Sequence, residues 1–313
     1  MKAIKKLAAL LLTLALALSM AACATKTPAE VNPPASSQVI DADREGNPIT
    51  LPDTIERIIS IGPSNTEILS ALGFAGMIVA ADNLSAGIEG LDPEIPMYDM
   101  MAPDVEQIIA LEPDIIIASS ISKAGGEGPF KVVSEAGICV VYIPSSESID
   151  GIKEDIRFIG QVVGAEVAAD EVIAGMENDI EAIKAAAPVE DAKTVYFEIS
   201  AAPYMYSFGN GVFLDEMLEI IGAENLFAEQ EGWMSVADEQ VLDLNPDVIL
   251  TSVNYIEDPI GEIMSRPGWG TLTAVQNNDV YYIDADASNR PSQNIIKALK
   301  EIAEAVYPDI FDY

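Results

Sequence analysis

Short hydrophobic runs alternate along the chain with stretches in which apolar residues recur every three or four positions. Arg57-Ile58-Ile59-Ser60-Ile61 reads as a strand, followed by a Gly62-Pro63 turn and a helix from Ser64. A continuous apolar run bounded by turn residues suits a strand covered on both faces, whereas a 3.6-residue period suits a helix lying on a core. The same pattern predicts strands over 77–81, 114–118 and 138–143 and helices over 105–111 and 130–136. Two helical stretches follow almost without a breaker, 148–163 and 165–187, the second of which would span ~34 Å at 1.5 Å per residue. Past Pro188 the alternation resumes, with strands at 194–199, 248–251 and 280–283 and helices at 212–221 and 293–306. Strands alternating with helices imply parallel sheets with helices on both faces.

An internal repeat spans the long helix. Residues 106–117 (EQIIALEPDIII) align without gaps to 239–250 (EQVLDLNPDVIL), with six of twelve positions identical and four more exchanging one aliphatic residue for another. A second pair, 66–73 (TEILSALG) against 215–222 (DEMLEIIG), keeps the same chain order. Two copies separated by 133 residues indicate two similar lobes rather than a short-period solenoid. The expected fold is therefore α/β: two similar lobes with parallel-type sheets, joined by one long helix, with a ligand cleft between them. The expected organisation is a signal over 1–22, a tether over 23–38, an N-terminal lobe over 39–164, a connecting helix over 165–187 and a C-terminal lobe over 188–313.

The N-terminus carries Lys2, Lys5 and Lys6 before an apolar run from Leu7 to Ala22, short for a membrane span and right for an export signal. Its end, Leu18-Ser19-Met20-Ala21-Ala22-Cys23, is similar to the bacterial lipoprotein signal, in which small residues precede a cysteine that is acylated after cleavage. Met20 replaces the usual leucine, and a plain signal cut near Ala22 is the bland alternative. Residues 24–37, mostly Pro, Ala, Thr and Ser, read as a tether. The other cysteine, Cys139, sits in an apolar strand-like run and reads as a small buried side chain.

Charge and composition exclude whole classes of function. Sixteen basic residues against 51 acidic ones give −35, deepening to −38 once the three signal lysines are lost, which argues against nucleic acid or an anionic lipid surface as partner. With no histidine, Ser-His catalysis and His-based zinc sites are absent, and direct Zn or Mn binding is disfavoured, leaving only an all-carboxylate site. Ser120-Ile121-Ser122-Lys123 matches the S-x-x-K pattern, but Lys123 runs into Ala-Gly-Gly and no Lys-Thr-Gly is present, so no enzyme is expected. No Gly-rich phosphate loop occurs, which places any ATP hydrolysis on another subunit. Asp41-Ala42-Asp43-Arg44-Glu45-Gly46 imitates a calcium loop whose twelfth position is Pro52 in place of glutamate, and a hairpin turn with a second arm at 48–51 is expected instead.

Taken in order, the acidic-Gly hairpin, Arg57-Ile-Ile-Ser-Ile-Gly-Pro-Ser-Asn-Thr-Glu67, the block ending Pro113-Asp114, the long helix, Gly222-Ala-Glu-Asn225, Trp233, the block ending Pro246-Asp247 and Arg290-Pro291 resemble the iron-complex and cobalamin periplasmic-binding family over residues 39–313. The resemblance implies an extracytoplasmic, lipid-anchored, monomeric substrate-binding protein of an ABC importer. Such a protein captures a corrinoid, haem-like complex or ferric siderophore and delivers it to a permease dimer with its ATPase subunits. It implies little hinge motion, no cofactor, and contact with the membrane through the lipid anchor alone. Trp233 and Arg290 fall where the family places pocket residues, and one exposed glutamate per lobe, here Glu67 and Glu216, would meet arginines on each half of the permease. Glu67 also has capping-box spacing from Ser64, while Glu216 has Phe213 three residues before it.

Ligands of open α/β sheets approach the carboxyl ends of the strands. Those loops carry Asn83, Tyr98, Ser119, Ser120, Tyr204, Tyr206, Trp233, Asn254, Tyr255 and Arg290. Tyr98, Tyr204, Tyr206, Trp233, Tyr255 and Arg290 are the candidate ligand contacts, since aromatic side chains suit a large, flat, partly apolar complex. For each tyrosine, capping a lobe core is an equal alternative. The plausible cleft cations are Arg290, Lys123 and Arg266, too few for a strongly anionic siderophore, which tilts the expectation towards a corrinoid, haem-like or weakly charged iron complex. A sensor or surface adhesion lipoprotein uncoupled from transport is the alternative class.

Overall fold

The computed structural model describes residues 40–123, 126 and 128–313. Cys23 and the expected signal and tether lie outside them. The first half contains β1 (Ile58–Ile61), α1 (Pro63–Ala71), β2 (Ile78–Asp82), β3 (Met97–Tyr98), α2 (Val105–Ala110), β4 (Ile115–Ser119), α3 (Lys131–Glu135) and β5 (Cys139–Ile143). Its five strands form a parallel sheet in the order β3-β2-β1-β4-β5. β1 and β4 are buried along their whole length, as their unbroken apolar runs require. The strand order reverses between β1 and β4, and in such sheets the crevice outside the carboxyl ends at that switch point is the place for a ligand.

Two helices then cross to the second half. α4 (Ile149–Val163) starts at Ser148, whose hydroxyl accepts from the Gly151 amide, and stops at Gly164 in the left-handed conformation. α5 (Glu166–Ala186) is 21 residues long, about 31 Å, and buries Ala169, Ile173, Met176 and Ile183. The two helices approach so closely that a Cβ on Gly160 would stand 2.5 Å from the Ala169 Cβ, so the crossing requires glycine.

The second half contains β6 (Thr194–Glu198), β7 (Tyr206–Phe208), α6 (Phe213–Ile220), β8 (Glu224–Asn225), β9 (Trp233–Ser235), α7 (Asp238–Leu244), β10 (Val248–Thr251), α8 (Pro259–Ser265), α9 (Thr273–Asn277), β11 (Val280–Tyr282), α10 (Ala285–Asn289) and α11 (Ile295–Val306). Four strands make a second parallel sheet, β11-β10-β6-β8, and β7 pairs antiparallel with β9 as a separate ribbon. α11 packs on α5 and α6, so one hydrophobic core runs from β1 through the long helix to Ile302 and Val306.

The repeat is structural as well as textual. Glu112 and Asn245 occupy matching positions and both take positive φ, 45° and 49°. Two residues on, the aspartate of each Pro-Asp pair holds the neighbouring strand. Asp114 Oδ2 accepts from the amides of Glu56 (2.8 Å) and Arg57 (2.9 Å), and Asp247 Oδ2 accepts from the amide and hydroxyl of Thr194 (both 2.9 Å). β10 thus stands to β6 as β4 stands to β1. At the start of the described chain, Asp43 accepts from the amides of Glu45 and Asn47, and its other oxygen accepts from the Tyr142 amide (3.1 Å). The acidic-Gly segment is therefore a turn pinned to β5 by its own carboxylate, and Gly46 supplies the positive φ of 82°.

Candidate functional site

The loops that leave the strands' carboxyl ends in both halves converge on two adjoining chambers. One, of 350 Å3, is lined by Pro63 and Ser64 after β1, Leu84 after β2, Ser119 and Ile121 at the end of β4, and across from them Asn254, Asp286 and Arg290. The other, of 270 Å3, lies between Ser146 and Glu147 on one side and Ile199, Phe213 and Trp233 on the other. The chambers share Ser145, Asn289 and Pro291, so they are parts of one cleft at the two switch points.

Buried polar groups shape these loops. Asp82 Oδ2 accepts from the Gly62 amide (2.8 Å) and the Ser85 hydroxyl (2.6 Å), and Oδ1 accepts from the Leu84 amide (2.9 Å). Gly62 has φ +116°, and a Cβ there would meet the Ser119 Cβ at 2.8 Å, so β1 and β4 deliver their loops side by side only because position 62 is glycine. Asp155, buried in α4, accepts from Ser146 Oγ (2.5 Å) and from Arg44 Nε (2.8 Å), fixing the Ser145–Glu147 loop. Burial, opposed by these partners, raises the Asp155 carboxyl above its ordinary range. Trp233 meets Phe208 and Phe213 edge-on, with ring centroids 6.0 and 6.3 Å away, which sets the indole against the smaller chamber.

Arg290 belongs to the cleft and also leaves it. Nη1 donates to Glu67 Oε1 (2.8 Å), while Nη2 donates to the Leu84 carbonyl (3.0 Å) and pairs with Asp286 Oδ1 (2.6 Å). Ser292 Oγ donates to Glu67 Oε2 (2.5 Å) and Gln293 Nε2 to the Glu67 carbonyl (3.2 Å). Behind this cluster is a larger concavity of 740 Å3, bounded by Ser70, Gly90, Asp284, Asn294 and Lys297, which shares Asp286 and Arg290 with the larger chamber but none of the residues that directly follow β1 and β4. Position at the strand ends favours the paired chambers as the ligand site despite their smaller size.

The expected site residues divide. Trp233, Arg290, Ser119 and Asn254 line the cleft. Tyr98 does not: β3 directs it inward, 8% exposed, into a core with Ile59, Ile108 and Phe130. Tyr204 is 84% exposed on the turn before β7, and Tyr206 stands on that ribbon; neither lines a chamber. Tyr255 is exposed beside Asn254, its hydroxyl accepting from the Ala201 amide (2.9 Å) and bonded to Ser200 (3.2 Å), so it braces a loop. Glu67 is buried under Arg290 instead of exposed, and no capping box forms because α1 is capped by Gly62 with Ser64 inside the helix. Glu216 is half-buried, accepts from the Ile149 amide at the start of α4 (2.7 Å) and faces a groove with Lys153 and Lys184; burial raises its carboxyl above the ordinary range.

The other cations are also engaged. Arg266 is held bidentate by Glu198 (2.6 and 2.8 Å) and by Glu262 (3.0 and 2.5 Å), with its guanidinium 4.5 Å from the Trp269 ring. It is a buried ion pair inside the second half, and burial raises the Glu198 carboxyl. Lys123 pairs with Glu45 over the Tyr142 ring, while Ser120 Oγ donates to the Ile143 carbonyl, so the S-x-x-K sequence makes no nucleophile-base pair. Among the described residues no group of three or more His, Cys, Asp or Glu side chains is placed to hold a bare metal ion, and no helix is long and apolar enough to cross a membrane. Sequence reasoning missed Leu84, Ser145, Asp286 and Asn289. α10, which carries the last two, reads Ala-Asp-Ala-Ser-Asn and has no apolar period to reveal it.

A profile of the periplasmic binding protein family matches residues 58–287. An ABC transporter substrate-binding lipoprotein of Bacillus subtilis (strain 168), YvrC, is 32% identical over 86% of this chain and 85% of its own length. A vitamin B12-binding protein of Vibrio campbellii is 25% identical over 80% of this chain and 88% of its own. Among solved structures, a possible iron-binding, periplasmic solute-binding protein of Staphylococcus epidermidis superposes with a TM-score of 0.73 at 30% identity, covering 82% of this chain and all of that one.

Proposed function

The chain belongs to the periplasmic binding protein family, and from that premise we propose that it is the extracytoplasmic substrate-binding protein of an ABC importer, taking up a metal complex of the corrinoid, haem or ferric siderophore kind. The observation that carries this reading is the cleft. Both parallel sheets aim their strand ends into one two-chambered cavity, walled on one side by Leu84 and Ile121 and on the other by Trp233 and Phe213. Apolar side chains facing a cleft, of which Leu84 and Ile121 are exposed, suit a large organic ligand, and serine and asparagine side chains there would orient it. Trp233 and Arg290 are the proposed ligand contacts.

Cys23 is proposed as the acylated N-terminus, supported by the signal pattern and by the lipoprotein name of the Bacillus relative. Glu216 and Glu67 are proposed to meet the permease, with different accessibility. Glu216 stands at a surface groove, whereas a permease arginine can reach Glu67 only by displacing Arg290. The test is a titration of the purified chain with cyanocobalamin, haemin and ferric siderophores, followed by absorbance and native mass spectrometry. A one-to-one complex with one of them is expected. Binding of none would reject the reading.

A further inference from the structure

We infer that the cleft selects an uncharged or cationic metal complex and rejects polyanionic ones; this rests on the metal-complex reading above and narrows it. Among the described residues lining the two chambers, the charged side chains are Glu147, Asp286 and Arg290. Arg290 can touch a ligand but offers it no unpaired charge, because its guanidinium lies between two carboxylates, Glu67 at 2.8 Å and Asp286 at 2.6 Å, and donates to the Leu84 carbonyl as well. Glu67 is itself buried, so its half of this neutralisation is built into the interior, while Asp286 supplies the other half from the exposed side. The other two candidate cations are spent elsewhere: Arg266 is bracketed by Glu198 and Glu262 inside the second half, and Lys123 is paired with Glu45.

An anionic complex entering the cleft would therefore meet Asp286 and Glu147 without a free counter-charge, inside a protein of net charge −35. Like charges brought together in a partly desolvated cleft repel far more strongly than in water, and a carboxylate or catecholate that loses hydration needs a donor in return. A neutral complex pays neither cost, and its apolar surface can rest on Leu84 and Ile121, which are 60% and 49% exposed. A cation gains from both carboxylates.

The experiment titrates the full chain at low and at moderate salt with four probes: cyanocobalamin, which has no net charge, aquacyanocobinamide, a cation, haemin, with two propionates, and ferric enterobactin, a trianion. The corrinoids should bind, the cation should lose affinity as salt rises, and the two anions should bind at least about 100-fold more weakly. Glu67→Gln combined with Asp286→Asn unmasks Arg290 and should raise affinity for the anionic probes about tenfold. Asp286→Asn alone, at an exposed carboxylate, should show part of that gain in case the double variant is unstable. Ferric enterobactin or haemin binding as tightly as the corrinoids would overturn the charge rule while leaving the metal-complex reading intact. Folded variants that gain no anion affinity would overturn the masking role of Glu67 and Asp286. Silence across all four probes would reject the metal-complex reading and the inference with it.

Discussion

Replacing Trp233 by alanine tests the site where it is most exposed to error. The indole sits on a two-stranded ribbon of three residues per strand, wedged edge-on between Phe208 and Phe213, with part of its surface open to the smaller chamber. A fully covered tryptophan buries roughly 250 Å2. A ligand that covered roughly a sixth of that area would gain ~1 kcal/mol at about 25 cal/mol per Å2, a factor of about five in affinity. Loss of the two edge contacts adds a stability cost of about 1–3 kcal/mol, because each such aromatic pair is worth about 0.5–1.5 kcal/mol beyond its area. The two effects separate if Trp233→Ala and Trp233→Phe are compared. Phenylalanine should recover much of the stability but only part of the affinity, since its ring extends less far into the chamber. Affinity is measured by absorbance titration with the best-binding complex, at a temperature where circular dichroism shows both variants folded. Wild-type affinity in folded Trp233→Ala would place the ligand outside the smaller chamber and refute the argument.

Cys23→Ser should shift the protein from the membrane to the soluble fraction of cells, and unchanged membrane partitioning would refute the anchor. Glu216→Arg should leave cyanocobalamin or haemin titrations within about twofold of wild type while reducing import, because the glutamate faces a groove that shares no lining residue with the chambers; lost ligand binding would assign it a fold role through the Ile149 amide. Glu198→Gln should cost about 3–5 kcal/mol in chemical unfolding, since it strips a bidentate partner from a buried guanidinium; a change below about 1 kcal/mol would show that Glu262 alone suffices. Stability should rise as pH falls from 8 to about 5. Burial raises the Asp155, Glu198 and Glu216 carboxyls, so the folded state binds their protons more tightly than the unfolded chain, and relief of the −35 charge acts in the same direction. Below the ordinary carboxylate range the trend should reverse, as Glu45 and Asp284, held low by Lys123 and Lys297 against their own burial, lose those pairs. A melting temperature that fell steadily from pH 8 to 5 would contradict this sign.

The elements that the sequence shows plainly are those whose burial follows a period. β1, β4 and β10 are continuous apolar runs because both faces of each are covered, and α4 and α5 appear within two residues of their observed ends because Ser148, Gly164 and Pro188 punctuate them. β7 and β9 escape because three residues per strand are too few to establish an alternation, and the ribbon gains its stability from aromatic contacts to α6 and to its own partner strand. Tyr98 shows a different failure. Its neighbours Pro96, Met97 and Asp99 suggest a loop, but parallel pairing of Asp82 with Tyr98 makes it the end of an edge strand whose inner face is core.

Glu67 and Glu216 show where local pattern stops carrying information. Each lies six residues before a glycine in matching helices, and each side chain reaches across to the other half of the molecule, Glu67 to Arg290 and Ser292, Glu216 to the first amide of α4. The periodicity that makes them equivalent determines which helix face they occupy, and that part is legible. What meets that face depends on a residue 223 positions away for Glu67 and on one 67 positions away for Glu216. A guanidinium arriving from α10 turns one glutamate into a buried ion pair that also neutralises the cleft. A backbone amide leaves the other half-exposed, with its carboxyl raised by burial and by neighbouring Asp150 and Glu219. The lobe repeat therefore predicts symmetry of placement, whereas the chemistry of the two glutamates diverges because the segments that close over them, 289–293 and 148–150, have no counterpart in each other.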